Sequence, residues 1–188
     1  PRRHQTGNRP QPSSLRGRVM EIPVFVSCPT SLSPEQDETK KLLDDLLKEY
    51  LLEPRALGRS DYPTELPLRE VRVIAKHCSG AIVLGFKQIV ATSGLIKPGT
   101  TEEVQINGEM IFPTPWNNLE AGILFSLDLP TIVFKESGIS GGIFDNGVTD
   151  VFVHDLPIGK AQFAAKKNQI RRVFLKWQGK VREHYYCR

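Results

Sequence analysis

Two short apolar runs constrain the fold of this chain more than any other feature. They cover residues 81–86 and 130–134, and each has the length of a single β-strand. A strand with one exposed face alternates apolar and polar residues, so a run that is apolar at nearly every position is typical of a parallel sheet with helices on both faces. The two runs therefore predict an α/β domain.

Helical patterns alternate with further strand patterns along the chain. Residues 21–27 form the first apolar run, and Ser33-Pro34-Glu35-Gln36 then has the cap, the proline and the returning side chain of a helix start. We expect this helix to end before Pro54. A weak strand is predicted at residues 55–57, a second helix after Thr64, a fifth strand at 151–153 and a long helix at 160–184. This order predicts a three-layer α/β fold with a mostly parallel five-stranded sheet.

Residues 87–113 do not fit this alternation and are predicted to form an insert. Within it, residues 104–111 are typical of a β-hairpin, because Asn107-Gly108 is a favoured two-residue turn. The insert comes directly before the third helix. Two roles stay open for it: the wall or lid of a pocket, or a peripheral decoration.

The long helix predicted at residues 160–184 has two different faces. One face is an apolar stripe that consists of Phe163, Ile170, Phe174, Trp177 and Val181. The opposite face is basic and carries Lys166, Lys167, Arg171 and Arg172. Such a stripe favours a helix that packs on its own domain, and a helix that binds a partner is the less common alternative.

The basic residues of the chain are concentrated at its start. The chain has 188 residues and a formal net charge of +4, and residues 1–18 contain five arginines and no acid. Without those arginines the formal charge is −1, so nucleic acid binding by the folded body is not favoured. We interpret residues 1–18 as a disordered basic arm or linker and residues 19–188 as a single domain. Because the sequence begins with Pro1, we expect it to be part of a longer or processed chain.

The cysteines and histidines do not form a pattern typical of metal ligands. Cys28, Cys78 and Cys187 are widely spaced and odd in number, which favours free thiols in a reducing compartment. The four histidines are scattered, and no run is long enough to predict a membrane span. We therefore expect a cytoplasmic protein without a metal site or a membrane partner.

A candidate site is predicted at the carboxyl ends of the strands, where open parallel sheets bind ligands. The residues expected there follow the first three strands or begin the third helix. They are Ser27, Cys28, Pro29, Arg59, Asp61, Phe86, Trp116 and Asn117.

The third helix is predicted to begin after Thr114, with Pro115 at its first position. Trp116 and Glu120 are four residues apart, so they share one face of the first turns. The positive end of the helix dipole favours an ionised carboxylate there by about 0.3–1 kcal/mol. Glu120 is then a candidate for stabilising a developing cation beside a flat ring. The alternative is a surface glutamate beside a core tryptophan.

Several nucleotide-binding and hydrolase motifs are absent from the sequence. No Gly-x-Gly-x-x-Gly follows the first strand, and neither a Walker A loop nor a Gly-x-Ser-x-Gly elbow is present. The third strand ends in Gly85-Phe86, where a phosphoacceptor receiver domain requires an aspartate. These absences disfavour a conventional Rossmann domain, a P-loop NTPase, a receiver and a serine hydrolase.

Short motifs resemble two known families over about residues 20–155. Val24-Phe25-Val26-Ser27 is similar to the first strand of TIR (Toll/interleukin receptor) domains, and Trp116-x-x-x-Glu120 resembles the Trp-x-x-x-Glu pattern of the TIR domains that cleave NAD. Glu120-Ala121-Gly122, with an apolar helix and Pro130 after it, also resembles the nucleoside 2-deoxyribosyltransferases. Both families have a flavodoxin-like sheet. The long insert and the extended last helix depart from the TIR pattern.

The TIR resemblance implies an enzyme that cleaves the nicotinamide–ribose bond of NAD and releases linear or cyclic ADP-ribose. It implies that Glu120 is catalytic, that the eight residues at the predicted site bind the substrate, and that NAD is a substrate rather than a cofactor. It also implies self-association and a role in bacterial immune or stress signalling. Two alternatives stay open: an N-glycosidase of the deoxyribosyltransferase type that acts on nucleosides or nucleotides, and a non-catalytic TIR scaffold.

These substrate classes differ in the number of acidic groups that they require. Cleavage passes through an oxocarbenium-like ribose, which one carboxylate can stabilise or capture. Nicotinamide leaves NAD as a neutral base, whereas the base of a neutral nucleoside needs a proton from a second acid. Asp61 is the one helper that the sequence offers, so NAD is the simpler substrate.

Overall fold

The computed structural model describes residues 20–57, 66–149 and 151–187. In chain order the elements are β1 (Ile22–Ser27), α1 (Pro34–Glu49), β2 (Leu52–Arg55), α2 (Pro67–Lys76), β3 (Ala81–Gly85), β4 (Ile89–Ala91), β5 (Leu95–Ile96), β6 (Val104–Gln105), β7 (Met110–Phe112), α3 (Pro115–Ser126), β8 (Thr131–Lys135), a 3-10 turn (Gly142–Phe144), β9 (Val153–Asp155) and α4 (Lys160–Tyr186). The predicted arm at residues 1–18 and the predicted helix start at Thr64 lie outside the described residues.

Five strands form one sheet in the order β2-β1-β3-β8-β9. All neighbouring pairs in this sheet are parallel. Helices cover both faces, so the predicted three-layer α/β fold of the flavodoxin-like type is confirmed. The strand order reverses between β1 and β3, and such a reversal opens a crevice at the carboxyl ends of the two strands.

Each face of the sheet has its own apolar core. The core under α1 and α4 contains Leu47, Ile82 and Phe174, and the core under α2 and α3 contains Val83 and Leu124. All five residues of β3 are buried. The continuous apolar run at this strand follows from its central place, because its two faces both meet helices.

The start of α1 confirms the predicted capping box. The Gln36 N–H donates to Ser33 Oγ at 3.2 Å, the Ser33 N–H donates to Gln36 Oε1 at 3.0 Å, and Pro34 is the first helical residue. Gln36 Nε2 also donates to Glu136 Oε2 at 2.8 Å, and the Lys87 N–H donates to the same oxygen at 2.9 Å. The cap therefore also ties α1 to the carboxyl ends of β3 and β8.

The insert is an antiparallel arm whose turn is not at Asn107-Gly108. β4 pairs with β7 and β5 pairs with β6, so the chain turns back between β5 and β6. The predicted two-residue turn at Asn107-Gly108 is therefore wrong. Between the two strand pairs, three residues (92–94) lie opposite four (106–109), so the segment that contains Gly108 has one extra residue. The φ angle of Gly108 is +112°. Glycine suits such a bulge as readily as a turn, so the dipeptide does not distinguish the two.

The two edge strands differ from their predicted positions. β2 begins at Leu52 rather than Arg55, and β9 begins at Val153 rather than Val151. An edge strand pairs on one side only and is less completely buried, so its sequence carries no continuous apolar run to fix its ends.

α4 packs on the domain along its apolar stripe, as predicted. Every residue of that stripe is buried. The indole N–H of Trp177 donates to Pro130 O at 2.8 Å, and its ring meets Phe174 edge-on at 5.6 Å. The stripe is therefore covered by its own domain.

Replacing Trp177 by alanine is expected to lower the free energy of unfolding by about 3–5 kcal/mol, the usual cost of removing a buried aromatic side chain. Denaturant unfolding followed by circular dichroism measures this value. Leu175→Ala is the matched control, because Leu175 lies on the same helix and is 58% exposed. It should change the free energy by less than about 0.5 kcal/mol. Equal effects of the two substitutions would contradict the buried position of Trp177.

Candidate active site

The third helix begins as its sequence predicts. Thr114 is the N-cap, and its hydroxyl oxygen accepts from the Asn117 N–H at 3.3 Å. Pro115 occupies the first helical position. This start places Trp116, Asn117 and Glu120 on the first two turns of α3.

Asn117 joins α3 to the sheet. Its Nδ2 donates to Ser27 Oγ at 2.9 Å and to Leu84 O at 3.3 Å, and its Oδ1 accepts from the Thr114 hydroxyl at 2.8 Å. Ser27 ends β1, and Leu84 is the last residue but one of β3. The bonds of one side chain therefore span the two strands between which the strand order reverses.

Glu120 is a half-buried carboxylate beside this junction. Burial raises the pKa of Glu120 above its ordinary value of 4.5, and a hydrogen bond from the Ser27 hydroxyl opposes that rise. No charged side chain of the described residues contributes to the shift. A carboxylate in such a site attracts positive charge strongly, because its surroundings screen the interaction less than water does.

A cavity of about 230 Å³ opens in front of Glu120. The ends of β1 and β2 and the starts of α2 and α3 supply its described lining, which is Cys28, Pro29, Thr30, Leu57, Pro67, Thr114, Trp116 and Glu120. Within this described lining, Glu120 is the one carboxylate, and no lysine or arginine is present to neutralise its charge. Four residues of the predicted site therefore meet in one cavity: Cys28, Pro29, Trp116 and Glu120.

The other four lining residues, Thr30, Leu57, Pro67 and Thr114, were missed as site residues by the sequence argument. Thr114 is recognisable as a cap, and a cap at the carboxyl edge of a sheet lies beside any ligand there. Leu57 and Pro67 flank the connection between β2 and α2. Their place beside Glu120 follows only from the strand order, which no local pattern encodes.

Phe86 does not belong to the site, and its predicted role in substrate binding is wrong. Its side chain is fully buried in the core under α1 and α4. The cavity lies on the side of α2 and α3. Neighbouring residues of a strand point to opposite faces, so a position at the end of β3 does not by itself direct a side chain toward the ligand.

Ser27 and Asn117 lie behind the site rather than on its surface. Each is 1% exposed, so the prediction that they contact the substrate is wrong. They occupy a supporting position next to Glu120 instead. Arg59 and Asp61, the remaining predicted site residues, lie outside the described residues.

Trp116 stands at the rim of the cavity. Its side chain is 43% exposed, so the alternative of a core tryptophan is wrong. An indole with an open face offers a flat apolar surface on which an aromatic or cationic ring can stack.

The arm formed by β4 to β7 supplies no residue to the described lining of the cavity. Its base is held by the Ser140 N–H, which donates to Ile111 O at 3.3 Å, and by Gln88 Nε2, which donates to Ser31 O at 3.2 Å. Ile89, Val90, Leu95 and Val104 are exposed along it. Of the two roles left open by the sequence, the peripheral one fits this geometry.

A second cavity, of about 540 Å³, lies between the start of β8 and the second half of α4. Pro130, His154 and Trp177 are among its lining residues. Burial lowers the pKa of His154 below its ordinary value of 6.5, while Asp155 opposes that change. The amino end of a parallel strand is not where such sheets bind ligands, so the cavity at Glu120 is the candidate active site.

Within the described ranges, no group of three His, Cys, Asp or Glu side chains is placed to hold a metal ion. The helices of those ranges include none with the length and apolar character needed to cross a membrane.

Neither the models of known protein families nor the curated protein sequences match this chain. A functional assignment therefore depends on the geometry around Glu120 and on the motifs that surround it.

Glu120→Gln is expected to keep the fold and to leave the melting temperature at pH 7 unchanged or higher. Burial raises the folded-state pKa of Glu120, so this group stabilises the fold below the pKa of the unfolded chain and loses that contribution as the pH rises. At pH 7 the ionised carboxylate therefore lowers the stability of the fold, and a neutral glutamine does not. Thermal unfolding at pH 7 and pH 4 measures the difference, which should shrink at pH 4. A clearly lower melting temperature of the variant at pH 7 would contradict the prediction.

Proposed function

We propose that this domain is a TIR-like NAD glycohydrolase or ADP-ribose cyclase that cleaves the nicotinamide–ribose bond with Glu120 as its catalytic carboxylate. One observation carries the proposal. A half-buried carboxylate faces a cavity whose described lining holds no other charge, at the reversal of strand order in a parallel sheet.

The electrostatics of the cavity suit a cationic transition state. As the glycosidic bond breaks, positive charge develops on the ribose, and a fixed carboxylate in poorly screened surroundings stabilises it. The same carboxylate can instead capture the ribose covalently, after which water or a second nucleophile releases it. Both routes use ionised Glu120.

The described cavity is small for a ligand of the size of NAD. Sites for drug-sized ligands occupy about 300–1,000 Å³, and the cavity at Glu120 measures about 230 Å³. In our proposal the nicotinamide and its ribose occupy this cavity, and the adenosine half lies outside it. Trp116 is then positioned to stack on a flat ring at the entrance.

NAD fits this site better than a neutral nucleoside does. Its pyridinium ring is positively charged before cleavage and leaves as a neutral base, so no proton donor is needed. The described lining contains no second carboxylate that could donate a proton. The negative charge of Glu120 also attracts the charged ring in the ground state.

A nucleoside N-glycosidase of the deoxyribosyltransferase type is the second candidate. The observation in its favour is the raised pKa of Glu120, because a carboxyl group that stays protonated to a higher pH is a better general acid for a departing neutral base. If Glu120 itself supplies that proton, the two candidates require opposite ionisation states of this residue.

A non-catalytic TIR scaffold is the third candidate, from a different class of function. The exposed apolar side chains of the arm and the outer edges of its two-stranded β5–β6 sheet offer a surface on which copies of the domain can associate. In our proposal, association accompanies catalysis, in a bacterial immune or stress response.

Glu120→Gln is expected to lower NAD cleavage more than about a hundredfold, the scale of losing one preorganised electrostatic group. Release of free nicotinamide measures the rate. Glu109→Gln is the matched control, since Glu109 is an exposed glutamate of the arm, and it should leave the rate unchanged. Full turnover by folded Glu120→Gln protein would overturn the assignment, and a wild-type protein inactive on NAD in dilute and concentrated solution would favour the scaffold.

The pH profile of kcat/KM separates the two enzymes. If ionised Glu120 drives NAD cleavage, kcat/KM falls as the pH drops through the raised pKa of Glu120 and reaches a plateau above it. If protonated Glu120 acts on a nucleoside, kcat/KM falls as the pH rises through the same pKa. Initial rates with NAD and with a deoxynucleoside, measured from pH 4 to pH 8, decide between them.

A further inference from the structure

We propose that the second cavity, between the start of β8 and the second half of α4, is a binding site for a small organic anion with a flat apolar ring. It lies toward the amino ends of the strands, away from the cavity at Glu120. Open parallel sheets bind their substrates at the carboxyl ends, so we assign this cavity to a ligand other than the substrate. The proposal concerns binding alone and does not rest on the proposed enzymatic function.

The size and inner walls of the second cavity are typical of a site for a small molecule. Its volume of about 540 Å³ is within the range of about 300–1,000 Å³ that such sites occupy. The inner walls include Ile132 of β8 and Trp177 of α4, which are both buried. The one N–H of the Trp177 indole already donates to Pro130 O at 2.8 Å, so this ring offers the cavity only apolar surface.

Two exposed phenylalanines stand at the rim of the second cavity. Phe125 near the end of α3 is 59% exposed, and Phe152 before β9 is 83% exposed. A single exposed apolar side chain is ordinary, but two aromatic side chains around one cavity form the kind of apolar patch that marks a ligand site. A planar ring can pack against them offset or edge-on, and its entry removes apolar surface of both partners from water.

The charges at the rim favour a negatively charged ligand. Lys176 and Lys180 line the cavity and are exposed one turn apart on α4, and Arg172 precedes Lys176 by another turn. Like charges at this spacing repel each other and destabilise a helix. Among the described residues, neither lysine has an ion-pair partner within 4 Å. An anion bound between the two ammonium groups relieves that repulsion.

Other occupants match this charge less well. Asp128 is the one carboxylate of the described lining, so the two lysines leave positive charge in excess. A cationic ring is repelled by that excess, and a neutral ring leaves it without compensation. Residues 1–18, with five arginines and no acid, have the same sign as the lysines and are disfavoured for the same reason.

The test uses two dyes that differ by one charged group. 8-Anilinonaphthalene-1-sulfonate has the rings and the anionic group that the proposal requires, and N-phenyl-1-naphthylamine has the same rings without the sulfonate. Both fluoresce more strongly in apolar surroundings, so fluorescence titration of the whole chain gives their dissociation constants. The anionic dye should bind saturably, with one molecule per chain. Binding without saturation, or with a dissociation constant weaker than about 1 mM, would overturn the proposal.

The two tryptophans of the chain report which cavity is occupied. Trp177 lines the second cavity, whereas Trp116 lines the cavity at Glu120. The two indole N–H signals in proton–nitrogen NMR spectra are assigned with Trp116→Phe. The anionic dye should shift the Trp177 signal more than the Trp116 signal. A Trp177 signal that does not move at saturation would contradict binding in the second cavity.

Replacing both lysines of the rim separates charge recognition from apolar contact. Lys176→Gln with Lys180→Gln should weaken binding of the anionic dye about fivefold, the combined scale of two exposed ion pairs, and leave that of the neutral dye unchanged. Lys160→Gln with Lys167→Gln is the matched control, because it removes the same charge from exposed positions in the first half of α4, outside the described lining. Equal losses for both dyes, or equal losses from both pairs of substitutions, would refute the recognition of charge.

Phe152→Ala tests the apolar part of the site. It should weaken binding of both dyes about threefold, the scale of one aromatic contact, because both dyes carry the rings. Leu175→Ala is the control, since Leu175 is exposed on α4 and does not belong to the described lining. The exposure of Phe152 allows its substitution without loss of the fold, which circular dichroism checks. If Phe152→Ala leaves the binding of both dyes unchanged, the proposed site is wrong.

Association of copies is the remaining alternative for this surface. A second copy that fills the cavity competes with the dye, so the apparent dissociation constant then rises with protein concentration. Sedimentation at the same protein concentrations shows whether dimers form. A dissociation constant independent of protein concentration supports a site for a small molecule, and one that rises as dimers form would overturn it.

Discussion

The buried amide of Asn117 is the interaction on which the candidate site depends. It joins the first turn of α3 to the ends of β1 and β3 through Ser27 Oγ and Leu84 O. Parallel strands present backbone oxygens at their carboxyl ends, and a buried oxygen without a donor is costly. By satisfying one of them, the amide fixes the distance between helix and sheet. The positions of Trp116 and Glu120 then follow from the geometry of the helix.

The next residue secures α3 on its other side. Asn118 Oδ1 accepts from the Ile143 N–H at 3.1 Å, which holds the 3-10 turn against the helix. Gly142 in that turn has φ +61°, and a Cβ there would collide with Asn118. Gly85 at the end of β3 leaves room in the same way for the ring of Phe144. The two adjacent asparagines therefore hold α3 between the sheet and the loop after β8.

Glu120 illustrates the conflict between stability and activity at such a site. Half-burial disfavours its ionised form, and no positive side chain of the described residues compensates for the charge. A core designed for stability would place a neutral residue there. A carboxylate in this position is useful when a positively charged group enters the cavity, because the approaching charge then compensates that of the carboxylate.

The sequence by itself determined the elements whose signals are local: the buried central strands, the capping box of α1, the start of α3 and the apolar stripe of α4. Periodicity and capping encode these features within a few residues. It also brought Trp116 and Glu120 onto one helical face. Only the tertiary structure decided that Asn107-Gly108 forms a bulge, that Phe86 faces the core, and that Glu120 is half-buried. The reason is physical: strand pairing, the direction of a side chain at a strand end and desolvation all depend on residues far away in sequence, whose positions are set by the packing of the whole sheet.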